Sequence, residues 1–430
     1  MVAQAQALCH ARAVKRSLRS PGGVIAAWTL YDFANSAFSA IVQATVWPAY
    51  YANAVVGNAE GRGDFLLALT VSVSMVLVAV LSPLFGGIAD HAGRRKPFLV
   101  GFTLVSVVAT ALLATVRPGM VAWGFALGVA GLVTFEAAFV FYNAYLPQIA
   151  APDALGTVSA AGFAVGYAGS LVAFLAAWPF AAASLYWACF LAAAALFALF
   201  SLPAFVLLPA DAPQPITLRA AVTRGVGDTL ATLREIAGRP ERTQMRRFLV
   251  SYFLYEDGVN TVIWFAGVFA ARTLGFSIQE IIVLFLLVQV TALAGSAAWA
   301  RPSDRRGPKF VITAMLVQWT VVSGVAYFVH VKWHFWLVAI LAGTGLGAIQ
   351  AASRTFMATL VPPRREAEFF GFYAFVGKTG AIFGPLVFGG VSAALHGNQR
   401  AAILAIGSFF LVGLALLRRV EAGGPTARVS

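Results

Sequence analysis

Long apolar stretches alternate with short polar ones along almost the whole chain. The runs at 65–85, 98–116, 120–146, 157–180, 184–208, 279–300 and 309–329 each reach the ~20 residues that cross a bilayer core as a helix. Barrel strands would be about 10 residues long and would alternate in polarity, so the pattern predicts helices. Twelve spans follow, near 24–52, 65–88, 98–116, 120–146, 157–180, 184–208, 246–271, 279–300, 309–330, 333–358, 367–391 and 399–418. One long polar stretch, with Pro213, Pro215, Arg219, Arg224, Arg234 and Arg239, separates the sixth span from the seventh. The predicted organisation is a tail (1–23), a six-helix half (24–208), a linker (209–245), a second six-helix half (246–418) and a C-terminal tail (419–430). Residues 219–238 mix apolar and basic positions as a short amphipathic helix at a membrane surface does.

Composition excludes an ordinary soluble domain: 60% of the 430 residues are apolar and 11% charged, against roughly 45–50% and 25%. Arg12, Lys15, Arg16 and Arg19 precede the first apolar stretch as in a secretory signal. That stretch is too long for one, holds Asp32 and Asn35 and lacks a small-residue cleavage site. It is read as a retained first helix. The net charge of +13 raises the question of nucleic acid, and its distribution answers it. With the N-terminus inside, 23 of the 30 Lys and Arg residues fall in inside loops and tails, 5 outside, and Arg354 and Lys378 within helices. This is the positive-inside bias, which predicts no nucleic-acid partner and both termini on the cytoplasmic side; the membrane expected is a bacterial cytoplasmic one.

Several chemistries find no support. Only Cys9 and Cys189 exist, and no Cys/His set has metal spacing. Five residues separate Gly371 from Gly377-Lys378-Thr379 where a phosphate loop needs four, and the stretch lies in an apolar helix. With no nucleotide-binding domain, catalytic triad or paired acids, neither ATP hydrolysis, a cofactor nor an enzyme is expected. The five histidines, at 10, 91, 330, 334 and 396, lie in tails or at helix ends. A coupling proton would therefore be carried by Asp32, Glu136 or Asp257.

Three landmarks recur in order. Asp32-x-x-Asn35 returns as Asp257-x-x-Asn260, 225 residues on; Asp90-x-x-Gly93 returns as Asp304-x-x-Gly307, 214 residues on; and Pro147 is matched by Pro362-Pro363. Together they indicate an internal repeat, whose interface is where many transporters bind substrate. In the first helix Asp32, Asn35, Ser36, Ser39 and Gln43 share one face. A charge at mid-bilayer costs about 2.5–3.5 kcal/mol on insertion scales, so this face should meet water or a partner. Asp257, Asn260, Thr261 and Trp264 form a similar stripe in the seventh helix, with Glu256 one step round, and Glu136 and Asn143 share a face of the fourth. Lys378, among Phe375, Val376 and Phe383, needs a carboxylate from Asp32, Glu136, Glu256 or Asp257. These residues are candidates for a substrate cavity; interhelical hydrogen bonding is the open alternative. Gly162, Gly166 and Gly169, like Gly377, Gly380 and Gly384, mark close helix packing.

The loop at 86–97 places Asp90 at a helix end, then Gly93, then Arg94, Arg95 and Lys96. An acid, a glycine turn and a basic cluster suit an ion-pair network that breaks and re-forms. Asp304, Arg305 and Arg306 form a weaker copy, since Pro302 departs from the glycine-rich pattern. Asp90, Gly93, Arg94, Arg95, Asp304, Arg305, Arg354 and Glu368 are candidates at the cytoplasmic side; a cytoplasmic gate is what the resemblance of 86–97 to the major facilitator superfamily signature implies for them. Gln350 and Arg354 are spaced i,i+4, and Arg354 sits near enough to the cytoplasmic side to snorkel.

The 86–97 loop resembles the signature of the major facilitator superfamily. Three further stretches resemble its vacuolar-effluxer-like family: Trp28 to Phe38, Phe253 to Thr261, and Ser353-Arg354-Thr355 with Arg365 to Tyr373. Asp32, Asn35, Asp257, Asn260, Arg354, Glu368 and Lys378 sit on matching positions; Phe33 stands where relatives usually have Trp, and Glu256 where they have Asn. The resemblance implies an all-α major-facilitator fold of twelve helices in two pseudo-symmetric halves. It also implies alternating access in a lipid bilayer by a monomer, and efflux of small solutes, amino acids among them. A receptor or scaffold of the same fold, or an exporter of drug-like or lipid-like solutes, stays open.

Overall fold

The structure, a computed structural model, describes residues 20–57, 62–211, 218–380, 383–396 and 398–421. The basic cluster at 12–19 and the prolines at 213 and 215 lie outside them. Everything regular in the described residues is helical. Helix α1 (Pro21–Phe38) starts with Ser20 accepting from Gly23 N at 3.2 Å and Pro21 in the first turn, the place where a missing N–H costs least. It continues as a π-helical stretch, Ser39–Ala44, breaks at Thr45, and resumes as a short helix (Val46–Tyr50) and a second π stretch (Tyr51–Val56). Pro48 accounts for the break: it gives no N–H to Ala44, and its ring crowds that carbonyl.

There follow α2 (Arg62–Ala92), α3 (Arg95–Leu112), α4 (Val121–Ala144), α5 (Leu155–Ala182) and α6 (Tyr186–Leu207). An amphipathic helix α7 (Leu218–Gly238) leads to α8 (Thr243–Leu274), α9 (Ile278–Arg306), α10 (Pro308–Phe328) and α11 (Lys332–Leu360). The last are α12 (Glu366–Gly380) and α13 (Phe383–Ala394), described on either side of residues 381–382, and α14 (Gln399–Arg418). Among the described residues ten stretches are long and apolar enough to cross a membrane. Two expected spans fall outside that set for physical reasons. The first is broken into α and π pieces, and α8 carries Arg246, Arg247, Glu256, Asp257 and Arg272.

The two sets of helices pack in matching ways. In the first, α1 lies on α5 and α6, and α3 on α4; in the second, α8 lies on α12 and α14, and α10 on α11 and α14. The sets meet along α2 with α12 and α5 with α9, and α11 reaches α5. Glycine files permit the closest approaches: a Cβ on Gly166 would crowd Ser36, and one on Gly377 would crowd the Tyr252 hydroxyl at 2.8 Å. Outward faces carry Val76, Leu175, Leu199, Val283 and Leu386, all exposed, as lipid-facing positions must be.

Candidate functional site

The polar links between the two sets of helices lie in three layers. The first is at the end that holds the 92–95, 209–211, 306–308 and 361–366 segments, called here the basic end. Gly93 (φ 58°) and Gly307 (φ 82°) turn the chain at the two copies of the acidic motif, a conformation that a side chain would strain. Each turn leaves its aspartate at the N-terminus of a helix from the other set. Asp90 Oδ2 accepts from Glu368 N (2.9 Å) in the first turn of α12. Asp304 accepts from Gly156 N (2.6 Å), Thr157 N (3.0 Å) and the Thr157 hydroxyl in the first turn of α5. Exposed amides and the helix dipole favour a carboxylate at both places. Arg95 adds Glu366 at 3.0 Å and Asp211 at 3.3 Å. Its Nε lies 3.2 Å from Asp90 Oδ1 as a charge contact without hydrogen-bond geometry, since neither atom has a hydrogen-bond partner.

The second copy, weaker in sequence, thus makes the fuller set of bonds. Asp304→Asn is expected to lower hydrogen-exchange protection of the Gly156 and Thr157 amides about tenfold or more, from the loss of charge-assisted bonds. Unchanged protection would mean that α5 caps itself without Asp304.

The second layer lies deeper. Arg354 of α11 reaches into the first set, where Nη1 faces Asp32 Oδ2 (3.4 Å) and Asn143 Oδ1 (3.3 Å), while Nε and Nη2 donate to Ser159 Oγ (3.0 Å) and O (2.6 Å). The Tyr142 hydroxyl donates to Asp32 Oδ2 at 2.9 Å. Trp28, Tyr142 and Phe163 surround the guanidinium at 4.8, 5.5 and 4.2 Å from their ring centres, a cation–π box. Side-chain exposure is 2% for Arg354 and 5% for Asp32. A Cβ on Gly162 would fall 2.8 Å from Arg354 Nη2 and 2.9 Å from Asp32 Oδ2, so glycine there admits the pair.

Farther from the basic end, Lys378 Nζ pairs with Glu136 Oε1 at 2.7 Å, and Gln43 donates to the same oxygen at 3.4 Å while receiving the Ser39 hydroxyl at 2.6 Å. The lysine side chain is 33% exposed, although it sits midway along the bundle. Beyond this pair, among the described residues, no hydrogen bond or ion pair joins the two sets. The outer stretch α13 packs on α8 and α14 of its own set. Among the described residues the polar contacts between the halves therefore run from the basic end to the Lys378–Glu136 pair.

Asp32, Asn35 and Asn143 gather at Arg354, and Ser39, Gln43 and Glu136 gather at Lys378, with Glu136 its partner. Arg354, grouped with the gate on position and read as able to snorkel, is instead buried in the central layer. Its i,i+4 neighbour Gln350 bonds Glu256 (2.9 and 3.2 Å) and not the arginine. Asp257 accepts from Gly384 N at 2.9 Å and keeps Oδ2 buried without a partner; Asn260 is half-buried, and the side chain of Trp264 lies outside the described ones. Arg94 and Arg305 are exposed. Sequence reasoning missed Ser159, Tyr142, Phe163, Thr157 and Glu366. Trp28 alone had a local signal, lying four residues before Asp32 on the same helical face.

A helical membrane bundle of two pseudo-symmetric halves, with charged residues paired across its middle and acidic turns capping opposite helices, is a transporter of the major-facilitator fold. The family model described as vacuole effluxer Atg22 like matches residues 65–424, and the chain belongs to that family. It is 30% identical to the MFS-type transporter YxiO of Bacillus subtilis (strain 168) over 407 residues, covering 91% of this chain and 93% of that one. Among solved structures it superposes on the human organic anion transporter MFSD10 with a TM-score of 0.72 at 20% identity, over 94% of this chain and 99% of that one. The fucose:proton symporter FucP of E. coli gives 0.70 at 14% identity, over 93% and 98%. At these identities the structural likeness shows the fold.

Proposed function

We propose that the protein exports a small solute of the amino-acid class from the cytoplasm by alternating access, coupled to protons. The observation that carries this reading is the Lys378–Glu136 pair, which joins the two halves at 2.7 Å midway along the bundle and leaves the lysine side chain 33% exposed. A zwitterion matches such a pair: its carboxylate meets the lysine and its ammonium the glutamate, and the two protein groups part as it enters. The halves at 24–208 and 246–418 are the rocking bodies, 209–245 links them, and the basic end faces the cytoplasm by the positive-inside rule. The effluxer description of the family supports the direction, and the proton symport of FucP, which shares the fold, supports the coupling. Carboxylates would carry the proton; Asp257, buried with one oxygen unpartnered, is suited to it.

The test is a thermal-shift screen of the purified protein against amino acids, peptides, sugars, nucleosides and cationic drugs at two pH values. A ligand that binds the folded state raises the melting temperature, by the equivalent of about 2.7 kcal/mol at a hundred times its Kd. Amino-acid hits that depend on pH, vanish in Asp257→Asn and exchange across proteoliposomes are expected. Hits confined to cationic drugs would replace the substrate class. Tight binding without exchange would favour a receptor of the same fold.

A further inference from the structure

We infer that the linker helix α7 is a moving part of the basic-end closure, a strap pinned to α12 by Thr232 and Glu235 that must lift before the halves can part. The inference rests on the alternating-access reading. Helix α7 packs along α2, and the Thr229 hydroxyl donates to Pro83 O there at 3.3 Å. On its other side it reaches the second half. The Thr232 hydroxyl donates to Glu368 Oε1 (2.5 Å) and accepts from Arg365 Nη2, which uses both functions of one hydroxyl. Glu235 accepts from Arg365 Nη1 (3.0 Å) and Arg242 Nε (2.6 Å). Arg365 also donates to Glu368 Oε2 at 2.8 Å.

Glu368 is the residue whose backbone amide caps Asp90. The pins on its side chain therefore fix the carboxylate, the turn and the capping amide as one unit. Thr232 and Glu368 are both almost wholly buried, so these bonds are made away from competing water. Burial pushes the Glu235 carboxyl up, but the bonds from Arg242 and Arg365 outweigh it and hold the group below the ordinary glutamate range. The pin is charged at neutral pH. A helix bound to both sides of a joint has to release one side when the joint opens. The packed side is α2, and the second half holds α7 by a few polar bonds, at the start of α12 and at the C-terminal end of α7, where Arg246 of α8 donates to Ile236 O and Ala237 O. Opening thus breaks Thr232–Glu368, Arg365–Thr232 and Arg365–Glu235, and α7 travels with the first half. Thr232 and Glu235 act as positioning residues through Glu368 and Arg365.

The test uses the full chain in proteoliposomes, with Cys9→Ser and Cys189→Ala, and spin labels on Asp153→Cys and Arg301→Cys. Both positions are exposed at the basic end, one in each half. Two distances are expected in the parent protein, in proportions that shift with gradient and ligand. Thr232→Val and Glu235→Gln should each raise the long-distance fraction about tenfold, the effect of losing one or two charge-assisted bonds on a two-state balance. Thr232→Ser, which keeps both bonds, should match the parent. A lower melting temperature with an unchanged ratio would mean that α7 only stabilises the fold, and would overturn the strap. Two distances whose ratio ignores both variants would do the same while leaving alternating access in place. A single distance in the parent under every gradient would remove alternating access and the strap with it.

Discussion

Arg354→Met is expected to destabilise the folded protein by about 3–5 kcal/mol, the cost of stranding one member of a buried ion pair. The arginine holds two oxygens of Ser159, Asn143 and Asp32, and three aromatic rings close over it. Methionine fills much of the volume but leaves Asp32 with Tyr142 and Asn35 as neutral partners. A carboxylate so placed in a membrane protein is left without a counter-charge. The double variant Asp32→Asn/Arg354→Met should recover most of the loss, since no charge is then stranded. Equilibrium unfolding in mixed micelles measures both. A loss below about 1 kcal/mol in the single variant, the range of a solvated surface pair, would show that water reaches this layer and that the buried pair is not a clamp. Failure of the double variant to recover would place the effect in the aromatic box and not in the charge.

Much of this was legible in the chain, for a reason specific to membranes. Apolar length fixes where helices lie, and a charge inside such a run is costly enough to announce itself, as Asp32, Glu136, Asp257 and Lys378 do. The amphipathic pattern at 219–238 likewise marks a helix that the structure places at Leu218–Gly238. Which charge meets which was not legible. Lys378 had four candidate carboxylates, and the choice of Glu136 depends on how α4 and α12 are rotated and how deeply each sits. Arg354 was misplaced because depth along a helix end cannot be counted from sequence to better than a turn, about 5.4 Å, and a turn separates a snorkelling arginine from a buried one. The break at Thr45 follows from Pro48, a signal present in the sequence and passed over because apolar residues continue on both sides of the proline. Ser159, Thr157 and Thr232 carried no signal, because a lone hydroxyl in a helix most often bonds back to its own chain, as Thr70 and Ser74 do here.

Lys378→Met is expected to lower transport about 100-fold, equivalent to ~2.7 kcal/mol of lost stabilisation along the cycle, while costing far less stability than the arginine variant. The two lysine and arginine pairs differ in exposure, 33% for the Lys378 side chain against 2% for Arg354, and water can solvate Glu136 once the lysine is gone. A permanent structural pair and a working one make opposite forecasts for the double variant Glu136→Gln/Lys378→Met. If the pair only braces α4 against α12, two neutral side chains of similar shape satisfy the space and transport returns toward the parental rate. If the pair opens to take up solute, the double variant stays inactive although it inserts and melts like the parent. Gln43, which donates to the same Glu136 oxygen, would then orient the carboxylate that meets a bound ammonium, so Gln43→Leu should raise KM more than it lowers the maximal rate. Recovery in the double variant would reduce Lys378 to a brace and move the search for the solute to Glu256, Asp257 and Asn260 on α8.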